Sequence, residues 1–269
     1  MLLREVEYAR PTSLDQALQL LGANDGARAL AGGQTIVNVM KARAASPDVL
    51  VDLGALDELR TISRGGDGSL ELGPMVTYAQ VMRDGQVASV RPILREVCDQ
   101  IADVQVRNRG TVGGNVCSND PTNHLPPLLT ALGASMKILG AAGERTVPAE
   151  EFFLGVYMTA VGTGELLTRI TIPPGGRDAF ASVAIGADGT CIVNAAANLD
   201  GEPTLAIGCV AAVPVVVRPG STDEAAVREA VRAAVVDPPA DVHASAAYRR
   251  HLAEVLAVRA VRQAAGRNA

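Results

Sequence analysis

The chain has 269 residues, 48% hydrophobic and 20% charged, with a mean hydropathy of +0.19. That is enough apolar material for one large domain or two moderate ones, it excludes a disordered chain, and no apolar run approaches the roughly 18 residues of a membrane span. The net charge of -5, the absence of Trp and an aromatic fraction of 3% argue against a broad nucleic-acid surface, which needs clustered positive charge and rings to stack on bases.

The N-terminal stretch MLLREVEYAR carries charges where a signal peptide needs an apolar core, so the expected location is cytoplasmic. Ser13-Leu14-Asp15-Gln16 has capping-box form, and Leu14, Ala17, Leu18 and Leu21 recur at helical spacing before Gly22 closes the pattern. A strand over Arg28 to Ala31 runs into Gly32-Gly33, followed by helical character from Thr35 to Arg43 and a second strand from Val49 to Leu53. Asp67-Gly68 reads as a hairpin turn into Ser69 to Leu72, and a helix is expected over Thr77 to Met82. Arg107 to Asn123 is dense in Gly, Asn, Asp and Thr and reads as a structured loop. A helix at Leu128 to Leu132 leads into a strand at Ala134 to Leu139, and the strand Leu166 to Ile172 stops at Pro173-Pro174-Gly175-Gly176.

From Phe180 the grammar changes. Three strand-like runs are joined by Asp188-Gly189 and Asp200-Gly201, and helices follow at Thr222 to Val236 and Ser245 to Ala265. The reading is α+β throughout, with a domain boundary near residues 173–179.

The four cysteines, Cys98, Cys117, Cys191 and Cys209, form no C-x-x-C pair, so no zinc site or iron–sulfur cluster is read from them and buried reduced thiols are expected. Three histidines supply little for metal binding, so a redox role needs a cofactor. The chemistry points to two Gly-rich loops, Ala31-Gly32-Gly33-Gln34-Thr35 and Thr111-Val112-Gly113-Gly114-Asn115. Glycine lets backbone N–H groups approach an anion closely, and two such loops suit a diphosphate. Neither has Walker A or G-x-G-x-x-G spacing, and on spacing alone a purely structural turn describes each equally well.

The stretches AGGQTIVNVMKARAASPDVLVDLGALDEL (Ala31 to Leu59), QVRNRGTVGGNVCSNDPTNHLPPLLTALGA (Gln105 to Ala134) and EEFFLGVYMTAVGTGELLTRITIP (Glu150 to Pro173) resemble the FAD-binding medium subunit of molybdenum hydroxylases, the xanthine dehydrogenase, aldehyde oxidase and carbon monoxide dehydrogenase family. The tail from Ala240 to Ala264 resembles that family's C-terminal domain. The resemblance implies a two-subdomain fold of the vanillyl-alcohol-oxidase type over residues 1–175, with a small C-terminal α+β domain, a three-stranded antiparallel meander plus helices, over 176–269. It implies noncovalent FAD held by Ala31 to Thr35 and Thr111 to Asn115, with Leu167 contacting it through its backbone. Molybdenum cofactor and 2Fe-2S clusters are expected only in a large and a small partner subunit, arranged as a dimer of heterotrimers, with no nucleic acid partner and no membrane span. The implied activity is electron transfer from those clusters to FAD and on to an external acceptor; a non-turnover assembly subunit and a free-standing flavoprotein oxidase are the alternatives.

Two departures stand out. Many relatives carry an Asp that bonds the FAD ribose where this chain has His124, and Asp120 lies four residues earlier; each has a structural alternative, a satisfied His and a cap on the Pro121 turn. Relatives often carry a Lys near the flavin where this chain has Ser182. Lys41 and Arg43 can approach phosphate or stay solvated on a helix surface, while Arg107 and Arg109 flank the second loop and either anchor it or face a partner. Arg249, Arg250, Arg259 and Arg262 read as a solvated basic face, with subunit docking the alternative, and Tyr157 as a core aromatic beside Phe152 and Phe153, with the isoalloxazine edge the alternative.

Overall fold

The computed structural model describes residues 3–186 and 189–267. At the N-terminus the strands Glu7–Ala9 and Ala27–Leu30 flank Val49–Asp52 in a parallel sheet. Parallel neighbours need crossovers, and the helices Leu14–Ala23 and Ile36–Lys41 supply them. The first helix starts as its sequence predicts, with the Ser13 hydroxyl accepting from the Gln16 N–H at 3.2 Å. The Gln16 side chain returns to the Thr12 N–H rather than to Ser13. The helix also runs through Gly22, because Ala17 and Leu21 anchor it against Val51, Leu53 and Leu59. The strand Glu7–Ala9 carries no alternating pattern and was not foreseen.

The middle of the chain builds a five-stranded antiparallel sheet in the order Ile62–Arg64, Leu70–Leu72, Leu166–Ile172, Ser135–Gly140 and Gly143–Pro148. The Asp67-Gly68 turn joins the first two, with Gly68 at φ 86° and the Asp67 carboxylate accepting from the Ser69 N–H. Short helices cover one face and fill the largest core, around Val81, Ile93, Leu94, Leu125, Leu128 and Phe152. Arg107 to Asn123 is not one loop. It contains the end of the helix Val104–Arg109 and the helix Val112–Ser118, because Asp103 and Thr111 each cap an N-terminus with their side chains.

The C-terminal sheet is antiparallel and has four strands rather than three: Asp178–Ile185, Thr190–Asn198, Thr204–Gly208 and Val215–Val217. The fourth is a three-residue valine run directly after Pro214, too short to show a period. The turn at Asp200-Gly201 lies between the second and third strands; Asp188 of the other expected turn lies outside the described residues. The helices Glu224–Ala234 and Ala246–Ala265 cover this sheet. Phe180, Ala196 and Ala206 face the other way and join the core of the middle sheet, so the two halves share packing. A buried clasp reinforces the seam: Arg91 lies 2.5 Å from Asp200 and 3.1 Å from Asp178. The solvated basic face expected on the last helix is corrected at Arg249, which is buried, ion-paired to Asp241 and bonded to the carbonyls of Ile192 and Cys209. Among the described residues no helix is long and apolar enough to cross a membrane.

Candidate functional site

The first Gly-rich loop leaves the strand Ala27–Leu30 and enters the helix Ile36–Lys41. Gly33 sits at φ 75°, in the left-handed region that favours glycine. Among the described residues, the amide N–H groups of Gly32, Gly33, Gln34 and Thr35 make no bond to a protein acceptor. Thr35 stands at the helix start but its hydroxyl makes no capping bond. Four consecutive open donors have to be met by water or by a ligand, and successive N–H groups around a left-handed residue form an anion-binding concavity.

The second loop differs. Its amides are consumed by the fold: Val112 N–H donates to Val76 O at 2.9 Å, Gly113 N–H to Pro74 O at 2.8 Å and Gly114 N–H to the Thr111 hydroxyl at 3.0 Å. A Cβ on Gly113 would fall on Pro74, with its Cα and carbonyl oxygen at 2.7 Å. The glycine there serves close backbone packing. The loop still closes the first one in, since a Cβ on Gly32 would land on the Arg109 carbonyl oxygen and one on Gly114 would sit 3.7 Å from the Ala31 methyl. Asn115 is buried; its Nδ2 donates to the Tyr78 hydroxyl at 3.0 Å, while its Oδ1 has no partner among the described residues. Burial pushes the Tyr78 phenol up, so it stays protonated. Tyr78 and Pro74 were missed in the sequence; the Thr77-x-x-Gln80 capping box shows that a helix starts there but not which face meets the loop.

The remaining candidates lie further along. Asp120 accepts from the Thr122 N–H and hydroxyl, which is the turn cap, and its second oxygen accepts from the Tyr157 hydroxyl at 3.1 Å. Tyr157 is therefore not the core aromatic that was expected. It is exposed, at φ 56°, on a short hairpin that Asn119 holds by donating to the carbonyls of Gly155 and Met158. His124 is buried with its ring 5.2 Å from that of Phe180, and loss of water around it lowers its pKa. Leu167 is buried in its strand, paired with Ile138 beside a bulge, and its neighbour Leu166 packs in the same core as Ala31. Ser182 bonds Gln100, and Arg107 is tied to the carbonyls of Ile101 and Ala102. The structure thus brings the two glycine loops together, with Asp120 and His124 beyond the far end of the second loop's helix and Leu167 in the core of the middle sheet.

Residues 4–175 match the family described as "FAD binding domain in molybdopterin dehydrogenase". The chain belongs to this family. The medium chain of carbon monoxide dehydrogenase from Afipia carboxidovorans is 34% identical over 97% of each chain. The medium chain of glyceraldehyde dehydrogenase from Sulfolobus acidocaldarius is 38% identical over 63% of this chain and 60% of that one. A solved chain of reconstituted CO dehydrogenase from Oligotropha carboxidovorans superposes with a TM-score of 0.94 over 100% of both chains at 32% identity. As a molybdopterin-dehydrogenase FAD domain, the chain has to accommodate a diphosphate, and the open amides of Gly32 to Thr35 fit one. The unpartnered, buried Asn115 Oδ1 adds an acceptor for a ligand N–H or hydroxyl.

Proposed function

We propose that this medium FAD-binding subunit is an electron relay: it takes electrons from iron–sulfur clusters of a small partner subunit into noncovalent FAD and passes them to an external acceptor, while a large partner subunit carries the molybdenum centre. The observation that carries the reading is the run of four open amides at Gly32 to Thr35, walled in by the second loop. FAD, when bound, supplies the electron storage. This chain's residues bind and orient it: Ala31 to Thr35 hold the diphosphate, and Thr111 to Asn115 form the wall behind it. In this reading Asn115 offers an acceptor, and Asp120, His124 and the Leu167 backbone lie along the rest of the cofactor. Residues 1–175 form the FAD-binding domain and 176–269 the C-terminal domain, the complex is a dimer of heterotrimers, and its location is cytoplasmic. Relatives named as medium chains of carbon monoxide and glyceraldehyde dehydrogenases support the division of labour.

Anaerobic stopped-flow on the isolated FAD-loaded chain and on the reconstituted complex tests this. Substrate is expected to bleach the flavin only in the complex. Equal flavin reduction in the isolated chain would replace the relay with a free-standing oxidase, and no flavin reduction in a complex whose clusters are reduced would replace it with an assembly subunit.

A further inference from the structure

A diphosphate on the first glycine loop needs a counter-charge that the loop itself does not supply. The open N–H groups of Gly32 to Thr35 are dipoles, and the chain as a whole carries a net charge of -5, so an approaching anion gains from a cation close by. The cations attached to the loop do not serve. Arg28, on the strand that leads into it, is spent on the carbonyls of Asp25 and Ala27, while Lys41 ends the helix Ile36–Lys41 and Arg43 lies beyond it, both at the opposite end from the open amides.

One cation meets the loop from across the site. Arg109 is the last residue of the helix Val104–Arg109, and its backbone lies directly against Gly32: a Cβ built on Gly32 would fall 2.0 Å from the Arg109 carbonyl oxygen and 2.8 Å from its carbonyl carbon, with the Gly110 Cα at 3.0 Å. The arginine is thus rooted beside the first of the four open amides. Its side chain is exposed and, among the described residues, makes no hydrogen bond or ion pair. The acids nearest in sequence are occupied, since Asp99 lies 3.9 Å from Arg107 and Asp103 accepts from the Val106 N–H at the start of the helix. Arg107 is held by the carbonyls of Ile101 and Ala102. Of two arginines in one helical turn, the fold consumes one and leaves the other beside unfilled donors.

We propose that Arg109 is the counter-charge of the FAD diphosphate, its guanidinium pairing with phosphate oxygens held on Gly32 to Thr35, an assignment that rests on the first loop being the diphosphate site. The segment before the second loop then contributes to cofactor binding through this side chain, while the loop's own amides serve the fold. A guanidinium suits the task, because it is planar, always charged and offers paired N–H donors that match two phosphate oxygens. The helix end that carries it is already in contact with Gly32, so pairing asks for rotation of one side chain and no change of fold. Attraction between exposed charges is screened by salt, whereas short hydrogen bonds from fixed backbone donors are screened less. Ionic strength therefore separates the arginine's contribution from that of the amides.

The test titrates FAD, followed by flavin fluorescence, into the flavin-free protein in complex with its partner subunits, for wild type, Arg109→Gln, Arg109→Lys and Gly33→Ala. Arg109→Gln is expected to bind FAD about ten- to a hundredfold more weakly than wild type at low salt. Most of that gap should vanish at about 1 M salt, where charges are screened beyond roughly 3 Å. Arg109→Lys should recover part of the loss, as a point charge without the paired donors, and the flavin-free Arg109 variants should melt as wild type does. Undiminished affinity in Arg109→Gln while Gly33→Ala binds weakly would overturn the counter-charge and leave the diphosphate site standing; undiminished affinity in both would remove the site as well. A loss that ignores salt and comes with a lower flavin-free melting point would make Arg109 an anchor of the loop, and failure of Arg109→Gln to assemble would make it a subunit contact; either result overturns the proposal.

Discussion

The two glycine loops look alike as sequence, Ala-Gly-Gly-Gln-Thr and Val-Gly-Gly-Asn-Val, yet the fold uses them in opposite ways. Around Gly33 the amides are left open and a Cβ would have space, its nearest neighbours being Val37 and Leu30 at 3.5 and 3.6 Å. Around Gly113 the amides are spent on Val76 and Pro74 and a Cβ has none. A glycine pair therefore marks either a place where a ligand approaches the backbone or one where the backbone approaches itself. Hydrogen-bond accounting separates the two.

That contrast breaks most visibly at Gly113. Gly113→Val would drive a branched side chain into the Pro74 backbone, so a destabilisation of about 3 kcal/mol is expected from overpacking. It should show as a lower thermal midpoint in the flavin-free protein as well as the loaded one. A variant that melts like wild type without flavin but fails to bind FAD would make the second loop a contact loop like the first.

Gly33→Ala reads the other side. Its strain in the left-handed region costs about 1–2 kcal/mol, and reorienting the flanking amides forfeits charge-assisted bonds worth roughly 1.5–3 kcal/mol each. We expect FAD to bind at least tenfold more weakly, measured by flavin fluorescence on titration, with the flavin-free fold intact. Undiminished affinity would move the diphosphate elsewhere.

The legibility of the molecule in its sequence follows the same division. The helix start at Ser13, the Asp67-Gly68 turn and the strand Leu166–Ile172 are local events with local signals, and they were read correctly. The two loops were legible as a pair because glycine and threonine cluster there. What stayed hidden depends on distant partners: the parallel edge strand Glu7–Ala9, the engagement of the second loop's amides by residues 74–76, the exposed Tyr157 and the buried Arg249. An arginine on an amphipathic helix carries no mark that its head will meet the carbonyls of Ile192 and Cys209.

A smaller effect sharpens the contrast at the helix starts. The Thr111 hydroxyl caps its helix by accepting from Gly114, while Thr35 makes no such bond. Thr111→Ala should cost about 1 kcal/mol of fold stability, the usual loss of an N-cap. Thr35→Ala should leave the flavin-free melting point unchanged. Equal losses in both would mean that Thr35 also serves the fold.

The smallest effect concerns pH and falls on the second loop's side only. His124 begins the helix Leu125–Ala131 and is packed against Phe180, and desolvation holds its folded pKa below the ordinary value of about 6.5. Above that value the ring is neutral in both folded and unfolded chains, and the stability it contributes is fully present. As pH falls below it, the unfolded chain takes up a proton that the folded chain resists, so stability declines until the folded pKa is reached. One proton sets a ceiling of about 1.4 kcal/mol per pH unit on that slope. His124→Leu keeps an apolar contact with Phe180 and removes the titration, so the difference in denaturant-unfolding stability between wild type and variant should shrink steadily in wild type's disfavour from pH 7 towards pH 5. His243 and His251 remain in both proteins and cancel in the difference. A constant difference across that range would mean that the ring protonates as readily folded as unfolded, and that the seam beyond the second loop is open to water.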